Sequence, residues 1–438
     1  MVGSTARRSI DAMADLMLPG PDLWVFLLPL RQPAAVAKTV VDVRLGERKE
    51  GLTMEMLREA DWRKFVAPEF VFGVGARHLA GRYARNLAAR HVLVVSDPGV
   101  IAAGWTEQVT DSLRAEDLSY VVFSDVVPNP RAAEVMAGVE LYQAEQCSVI
   151  VAVGGGSPMD CAKGIGIASA NGKDVLEFEG VDRVPVPGPP LICVPTTAGT
   201  SADLSQFAIV TDPQRRVKIA IVSKMVVPDV SLIDPATTTT MDRNLTACTG
   251  MDALVHAIEA YVSNASAPVT DLHALEAVRL VADNLLAAIA NPDDLEQRRR
   301  MMLASLHAGL AFSNASLGAV HAMAHSLGGY LDFPHGAANA ILLEHVMAFN
   351  FEAAPERYRR IGQAMGLDLG RGDVKATLLA AVSRLRQQAG INQTLGQMGL
   401  TRDAIGELAA KAMRDACVVT NPRRPTQRDL EVLYERAF

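Results

Sequence analysis

Asp252 and His256 stand four residues apart in the Ala- and Leu-bearing stretch Gly250–Tyr261, so a helix there carries both on one face. His321 and His325 repeat that spacing in His-Ala-Met-Ala-His, and His335 follows in Phe-Pro-His-Gly. For any one histidine a hydrogen-bonded core position is the commoner fate. A carboxylate and several imidazoles flanked by Ala, Leu, Val and Met are nonetheless costly to bury unpartnered, and a shared divalent ion satisfies them together. An imidazole-rich set with one carboxylate suits Fe2+ or Zn2+ better than Mg2+ or Ca2+. Such an ion is a Lewis acid that lowers the pKa of a hydroxyl held beside it. His325, one turn beyond His321, suits a proton relay better than a further ligand.

A second group of residues supplies the other half of a reaction. Val149-Ile150-Val151-Ala152-Val153 reads as a buried central strand and runs into Gly154-Gly155-Gly156-Ser157-Pro158-Met159-Asp160. Ser157 suits the N-cap of a helix, Pro158 its first position and Asp160 its third, as in a capping box. Glycines just ahead of a helix let backbone amides approach an anion, and the helix dipole adds about half a positive charge there. A dinucleotide pyrophosphate fits this turn; so does a tight turn with no ligand, since the run is not the GxGxxG fingerprint. Asp97, ending another strand-like run, either accepts from ribose hydroxyls and repels a 2′-phosphate, favouring NAD over NADP, or simply opens an Asp-Pro-Gly turn. Pro195–Ser201, rich in hydroxyls, follows a further strand and shares the cleft edge, because strand carboxyl ends in such sheets lie together. Beside a Lewis-acid metal, a nicotinamide implies hydride transfer from an activated alcohol.

These residues need a scaffold, and its grammar changes midway. From about Phe70 to Pro235, short β-branched runs alternate with helix-like stretches, which predicts a doubly wound parallel sheet. Its strands are expected at Phe70–Phe72, Val92–Val95, Tyr120–Phe123, Ser148–Val153, Leu191–Val194 and Val230–Ile233. Beyond Pro235, long segments with helical spacing run almost to Phe438, so the second half is expected to be all-helical. The division is placed at 66–240 for the dinucleotide-binding domain and 241–438 for the metal domain, with 1–65 an extension that fits neither.

Length and composition agree with an enzyme-sized globular body. The 438 residues are 49% hydrophobic and 21% charged. The net charge of -7 has its Lys and Arg scattered, which argues against a nucleic-acid partner. Cys147, Cys161, Cys193, Cys248 and Cys417 are odd in number and widely spaced, against a disulfide framework or a thiolate zinc site and in favour of a reducing cytoplasm. No apolar run approaches the roughly 20 residues of a membrane span, and Asp11 and Asp15 break any secretory signal.

Taken in order, Phe70–Gly75, Gly154–Lys163, Thr196–Thr200, His321–Gly336 and Asn421–Arg423 give the chain a broad resemblance to the iron-containing (group III) alcohol dehydrogenases. The resemblance implies a Rossmann-like domain followed by an all-α metal domain, the architecture shared with dehydroquinate synthase, with the active site in the cleft between them. It implies Asp252, His256, His321 and His335 as ligands of Fe2+, or of Zn2+, and His325 beside the nicotinamide. Gly154, Gly155, Gly156, Ser157 and Asp160 would meet the NAD pyrophosphate and nearby ribose, and Asp97 the adenosine ribose. Thr196, Thr197, Thr200, Lys218 and Leu245 would line the rest of the cofactor. The expected activity is oxidoreduction of a small primary alcohol or its aldehyde by a homodimer or larger homo-oligomer. A metal-dependent carbon–oxygen lyase of the dehydroquinate-synthase type, or a sensor that keeps both sites, is the alternative. One departure stands out: Ser201-Ala202-Asp203 replaces the more usual Gly-Ser-Glu.

Overall fold

The computed structural model describes residues 64–370 and 372–438; the expected extension over 1–65 therefore lies, except for Lys64 and Phe65, outside the described residues. The β-branched runs become β1 (Glu69–Phe72), β2 (His91–Val95), β3 (Ser119–Phe123), β4 (Val149–Gly154), β5 (Gly180–Val181), β6 (Leu191–Pro195), β7 (Phe207–Asp212), β8 (Val217–Val222) and β9 (Val230–Ile233). Six of them form one parallel sheet in the order β1-β9-β6-β4-β2-β3. All six residues of β4 are buried, as a strand covered on both faces by helices must be. Strand order reverses at β4: β2 and β3 lie to one side, β6, β9 and β1 to the other. The carboxyl ends of β2 and β4 thus open a crevice at the switch point, where ligands of such sheets bind.

The sheet is packed by α1 (Ala80–Asn86), α2 (Pro98–Ala102), α3 (Trp105–Ala115), α4 (Ala132–Ala144) and α5 (Gly156–Asn171). The start of α5 corrects the expected capping. Gly155, in extended conformation, is the N-cap, so the helix begins two residues earlier and Ser157 and Pro158 lie inside its first turn. Proline is tolerated there because first-turn amides have no intrahelical acceptor. Gly154 has φ +154°, and a Cβ on it would sit 2.6 Å from Pro158 Cγ, so glycine is required where strand turns into helix.

The sequence reading missed a three-stranded sheet of order β5-β8-β7. Its core is the antiparallel pair β7 and β8, turned through Asp212, whose Oδ1 accepts from the Gln214 and Arg215 amides at 3.0 and 3.1 Å.

The second half is helical throughout: α6 (Arg243–Val262), α7 (Pro268–Ala290), α8 (Leu295–Ala315), α9 (Ala319–Leu331), α10 (His335–Asn350), α11 (Pro355–Ala364), α12 (Val374–Gln388), α13 (Ile405–Ala412) and α14 (Gln427–Ala437). Asp242 caps α6 by accepting from the Leu245 amide at 2.7 Å. From Thr246 onward α6 is buried almost all round, which makes it the axial helix of the core. Among the described residues no helix is long and apolar enough to cross a membrane, and all five cysteines are free.

Candidate active site

Because α6 is axial, the polar side chains on its inner face have no water to turn to. Asp252 and His256 are 1% and 4% exposed, one turn apart, with His256 Nδ1 3.9 Å from Asp252 Oδ2. His321 comes from the first turn of α9 and His335 from the first residue of α10. Their Nε2 atoms each lie 3.8 Å from Asp252 Oδ1, and one ligand atom from each of Asp252, His321 and His335 falls within 4.8 Å of the others. His256 stands beside this trio rather than within it, its ring stacked on His321 at 4.5 Å between centroids and on Phe312 at 4.3 Å.

The donor set fits a cation. Asn339 Nδ2 is 2.6 Å from Asp252 Oδ1, 3.1 Å from His321 Nε2 and 3.2 Å from His335 Nε2. Three acceptors therefore converge on one amide nitrogen that has two hydrogens to give. His256 Nδ1 and His335 Nδ1 are buried without any hydrogen-bond partner. Burial lowers the pKa of His256 and pushes those of His321 and His335 well below the ordinary range. The imidazoles are thus neutral, with lone pairs available for a metal.

His325 faces the same cleft from the next turn of α9. Its Nδ1 donates to Asp415 Oδ2 at 2.8 Å, which fixes the tautomer and leaves Nε2 as the acceptor. Burial opposes the charge on Asp415, yet the hydrogen-bonded His325 and the Cys417 amide prevail and hold its pKa low. Lys218, on β8, donates to Asn129 Oδ1 at 2.7 Å, and burial pushes its pKa down to about 8. Asp160, in the first turns of α5, is pushed up to about 6 by burial, against the pull of Lys163.

The expected cofactor residues line one groove along the sheet's carboxyl edge. Asp97, Gly155, Gly156, Ser157, Thr196, Thr197, Thr200 and the exposed Leu245 wall its outer part. Asp97 Oδ1 also accepts from the Val100 amide at 3.0 Å, so it is at once the cap of α2 and a cleft residue. Gly154 lies at the base of the turn. The inner part is walled by Asp160, Lys218, Asp252, His256, His321, His325 and His335, and Gly156, Ser157 and Thr200 belong to both parts. Phe207, Ile209, Phe312 and Leu317 make the inner wall apolar. Of the departure at Ser201-Ala202-Asp203, Ala202 lines the inner part of this groove, whereas its neighbours are engaged elsewhere: Ser201 adopts φ +50° and donates to Ser305 O at 2.7 Å, and Asp203 accepts from Ser231 Oγ at 2.6 Å.

Four residues of the site escaped the sequence reading. Glu259 and Asn339 sit at helical spacings from Asp252 and His335, a signal that was there to find. Asp415 and Asn129 carry none, since they reach His325 and Lys218 only through the tertiary fold.

Comparison with known proteins places this arrangement. The iron-containing alcohol dehydrogenase family matches residues 67–235, and the C-terminal part of the Fe-containing alcohol dehydrogenase family matches 246–438. A 1,3-propanediol dehydrogenase of Klebsiella pneumoniae is 40% identical over 372 residues, 84% of this chain and 96% of that protein. An NAD-dependent methanol dehydrogenase of Bacillus methanolicus is 35% identical over 377 residues, 85% of this chain and 99% of that protein. A crystal structure of 1,3-propanediol oxidoreductase superposes with a TM-score of 0.83 at 38% identity, over 86% of this chain and all of that one. The chain belongs to the iron-containing alcohol dehydrogenase family and is an alcohol or aldehyde oxidoreductase.

Proposed function

We propose that the chain is an NAD-dependent, Fe2+-dependent alcohol dehydrogenase, with Zn2+ the alternative ion, that interconverts a small primary alcohol and its aldehyde. The observation that carries this reading is that the cavity walled by Asp97 and the glycine turn adjoins the one walled by the convergent Asp252, His321 and His335, with Gly156, Ser157 and Thr200 common to both. A dinucleotide laid along the two brings its nicotinamide to the histidine cluster. A divalent ion held by Asp252, His256, His321 and His335 supplies Lewis acidity that lowers the pKa of the substrate hydroxyl. The Gly154–Gly156 turn and the start of α5 offer amides and dipole to the pyrophosphate, with Ser157 and Asp160 beside it. Asp97 accepts from the adenosine ribose; Thr196, Thr197, Thr200, Lys218 and Leu245 hold the remainder. His325 takes up the hydroxyl proton through Nε2, steadied by Asp415. Phe207, Phe312 and Leu317 keep water from the hydride path and favour a short apolar substrate.

The groove separates an α/β domain from a helical one, consistent with a division near residues 235–245. Five free cysteines fit the cytoplasm. Among the described residues β1 is an edge strand with one side unpaired, and the exposed Phe70 on it and Val74 just beyond it fit assembly into a homodimer or larger homo-oligomer. The test is reduction of NAD by a panel of short primary alcohols after loading with Fe2+ or Zn2+. NADH formation that requires the ion is the expected result; turnover unaffected by metal removal contradicts the reading.

A further inference from the structure

The first turn of α9 is closed by a residue from another helix. Gly318 is its N-cap and has no side chain to give. In its place Glu259 of α6, 4% exposed, reaches across. Its Oε1 accepts from the Val320 amide at 2.7 Å, and its Oε2 lies 3.4 Å from the His321 amide and 2.7 Å from His321 Nδ1. The fit leaves no slack: a Cβ on Gly318 would sit 2.8 Å from Glu259 Oε1. Asn421 shares the capping, its Oδ1 accepting from the Ala319 amide at 3.1 Å, but forms no hydrogen bond with the imidazole.

We propose that Glu259 is a positioning residue for the metal centre, holding His321 as the Nδ1–H tautomer so that its Nε2 lone pair faces the ion. This rests on the metal site proposed above. One helix then supplies two ligands, Asp252 and His256, and the orienter of a third. The chemistry is specific to a carboxylate. Backbone amides can only donate, so both Glu259 oxygens must accept; opposite Nδ1 an acceptor demands that the proton sit on Nδ1. In Glu259→Gln one acceptor becomes a donor. The amides of α9 cannot receive it, so the NH2 turns to Nδ1 and selects the Nε2–H tautomer, which points a proton at the ion.

The test titrates Zn2+ into the full chain after metal removal, in competition with a chromophoric chelator. Outer-sphere partners of metal-binding histidines contribute roughly 10- to 100-fold to affinity, and Glu259→Gln should lose that much. It should also move the His321 signals from the Nδ1–H to the Nε2–H pattern in the 15N-histidine spectrum. Asn421→Ala, which weakens the same helix end without touching His321, should lower the melting temperature and leave Zn2+ affinity within a few-fold of wild type. If Glu259→Gln does not fold, Glu259→Asp, one methylene short of Nδ1, is read in its place and should weaken binding in the same direction. Wild-type affinity in the Glu259 variants, or an equal loss in Asn421→Ala, overturns the proposal while leaving the metal site intact. A wild-type chain that takes up no Zn2+, or an Asp252→Asn variant that binds it normally, overturns the metal site itself.

Discussion

Gly199 offers the sharpest perturbation of how the two halves meet. It lies in the hydroxyl-rich loop after β6, and a Cβ placed on it would fall 2.5 Å from Thr249 O, 2.6 Å from Thr249 Cβ and 2.8 Å from Thr249 Cα. Thr249 is on α6, one turn before Asp252. Ordinary contact begins near 3.4 Å, so Gly199→Ala requires the loop and α6 to separate by about 0.9 Å, the difference from 2.5 Å. Backbone on both sides leaves no flexible side chain to absorb it. Overpacking of this kind costs about 1–3 kcal/mol of stability. A displacement near 1 Å at a reacting centre can cost about 100-fold in rate. The control is Gly166→Ala in α5, where the nearest atom is at 3.5 Å and replacing a mid-helix glycine should be neutral or stabilise by up to about 1 kcal/mol. Steady-state NAD reduction and thermal unfolding of both variants give the answer. Gly199→Ala should lose at least tenfold in kcat and melt lower; activity equal to that of Gly166→Ala would refute the claim that this close approach sets the site.

Two further predictions concern pH. The Asp160 carboxyl, moved from 3.8 up to about 6, is protonated in both folded and unfolded chains at low pH and ionised in both at neutral pH. The fold therefore loses stability as pH rises from about 4 through about 6, by roughly 2–3 kcal/mol before screening by cleft water. In metal- and cofactor-free protein, urea unfolding of Asp160→Asn should show a stability difference from wild type that grows over this window; parallel profiles would count against burial as the cause. Lys218, lowered to about 8, is charged below that pH and neutral above it. If it meets the anionic cofactor, KM for NAD should rise between pH 7 and 9 in wild type, and Lys218→Met should be weak throughout and flat; a Lys218→Met profile that keeps the wild-type slope assigns the titration elsewhere.

The sequence was legible where one local period carries the information. Six parallel strands were read from β-branched runs, and the pairs Asp252/His256 and His321/His325 from the helical repeat. It was opaque where tertiary contact decides. Strand β5 has two residues, too few to leave a pattern, and β7 and β8 form an antiparallel hairpin inside a stretch otherwise built on parallel crossovers. The cap of α5 shifted from Ser157 to Gly155 because backbone conformation, rather than side-chain preference, sets the turn. Helical spacing puts Glu259 on the same face of α6 as Asp252, but only α9, whose first turn abuts it, makes Glu259 the acceptor for His321. Asp415 lies 90 residues from His325, a pairing no spacing rule encodes.

The account's central claim is that one cation sits among Asp252, His256, His321 and His335. Metal analysis of protein purified without oxygen, set beside that of Asp252→Asn and His335→Ala, measures it directly. About one Fe2+ or Zn2+ per wild-type chain, largely lost from both variants, is the predicted result. A full complement of metal in the variants, or a metal-free wild type with undiminished turnover, would contradict it.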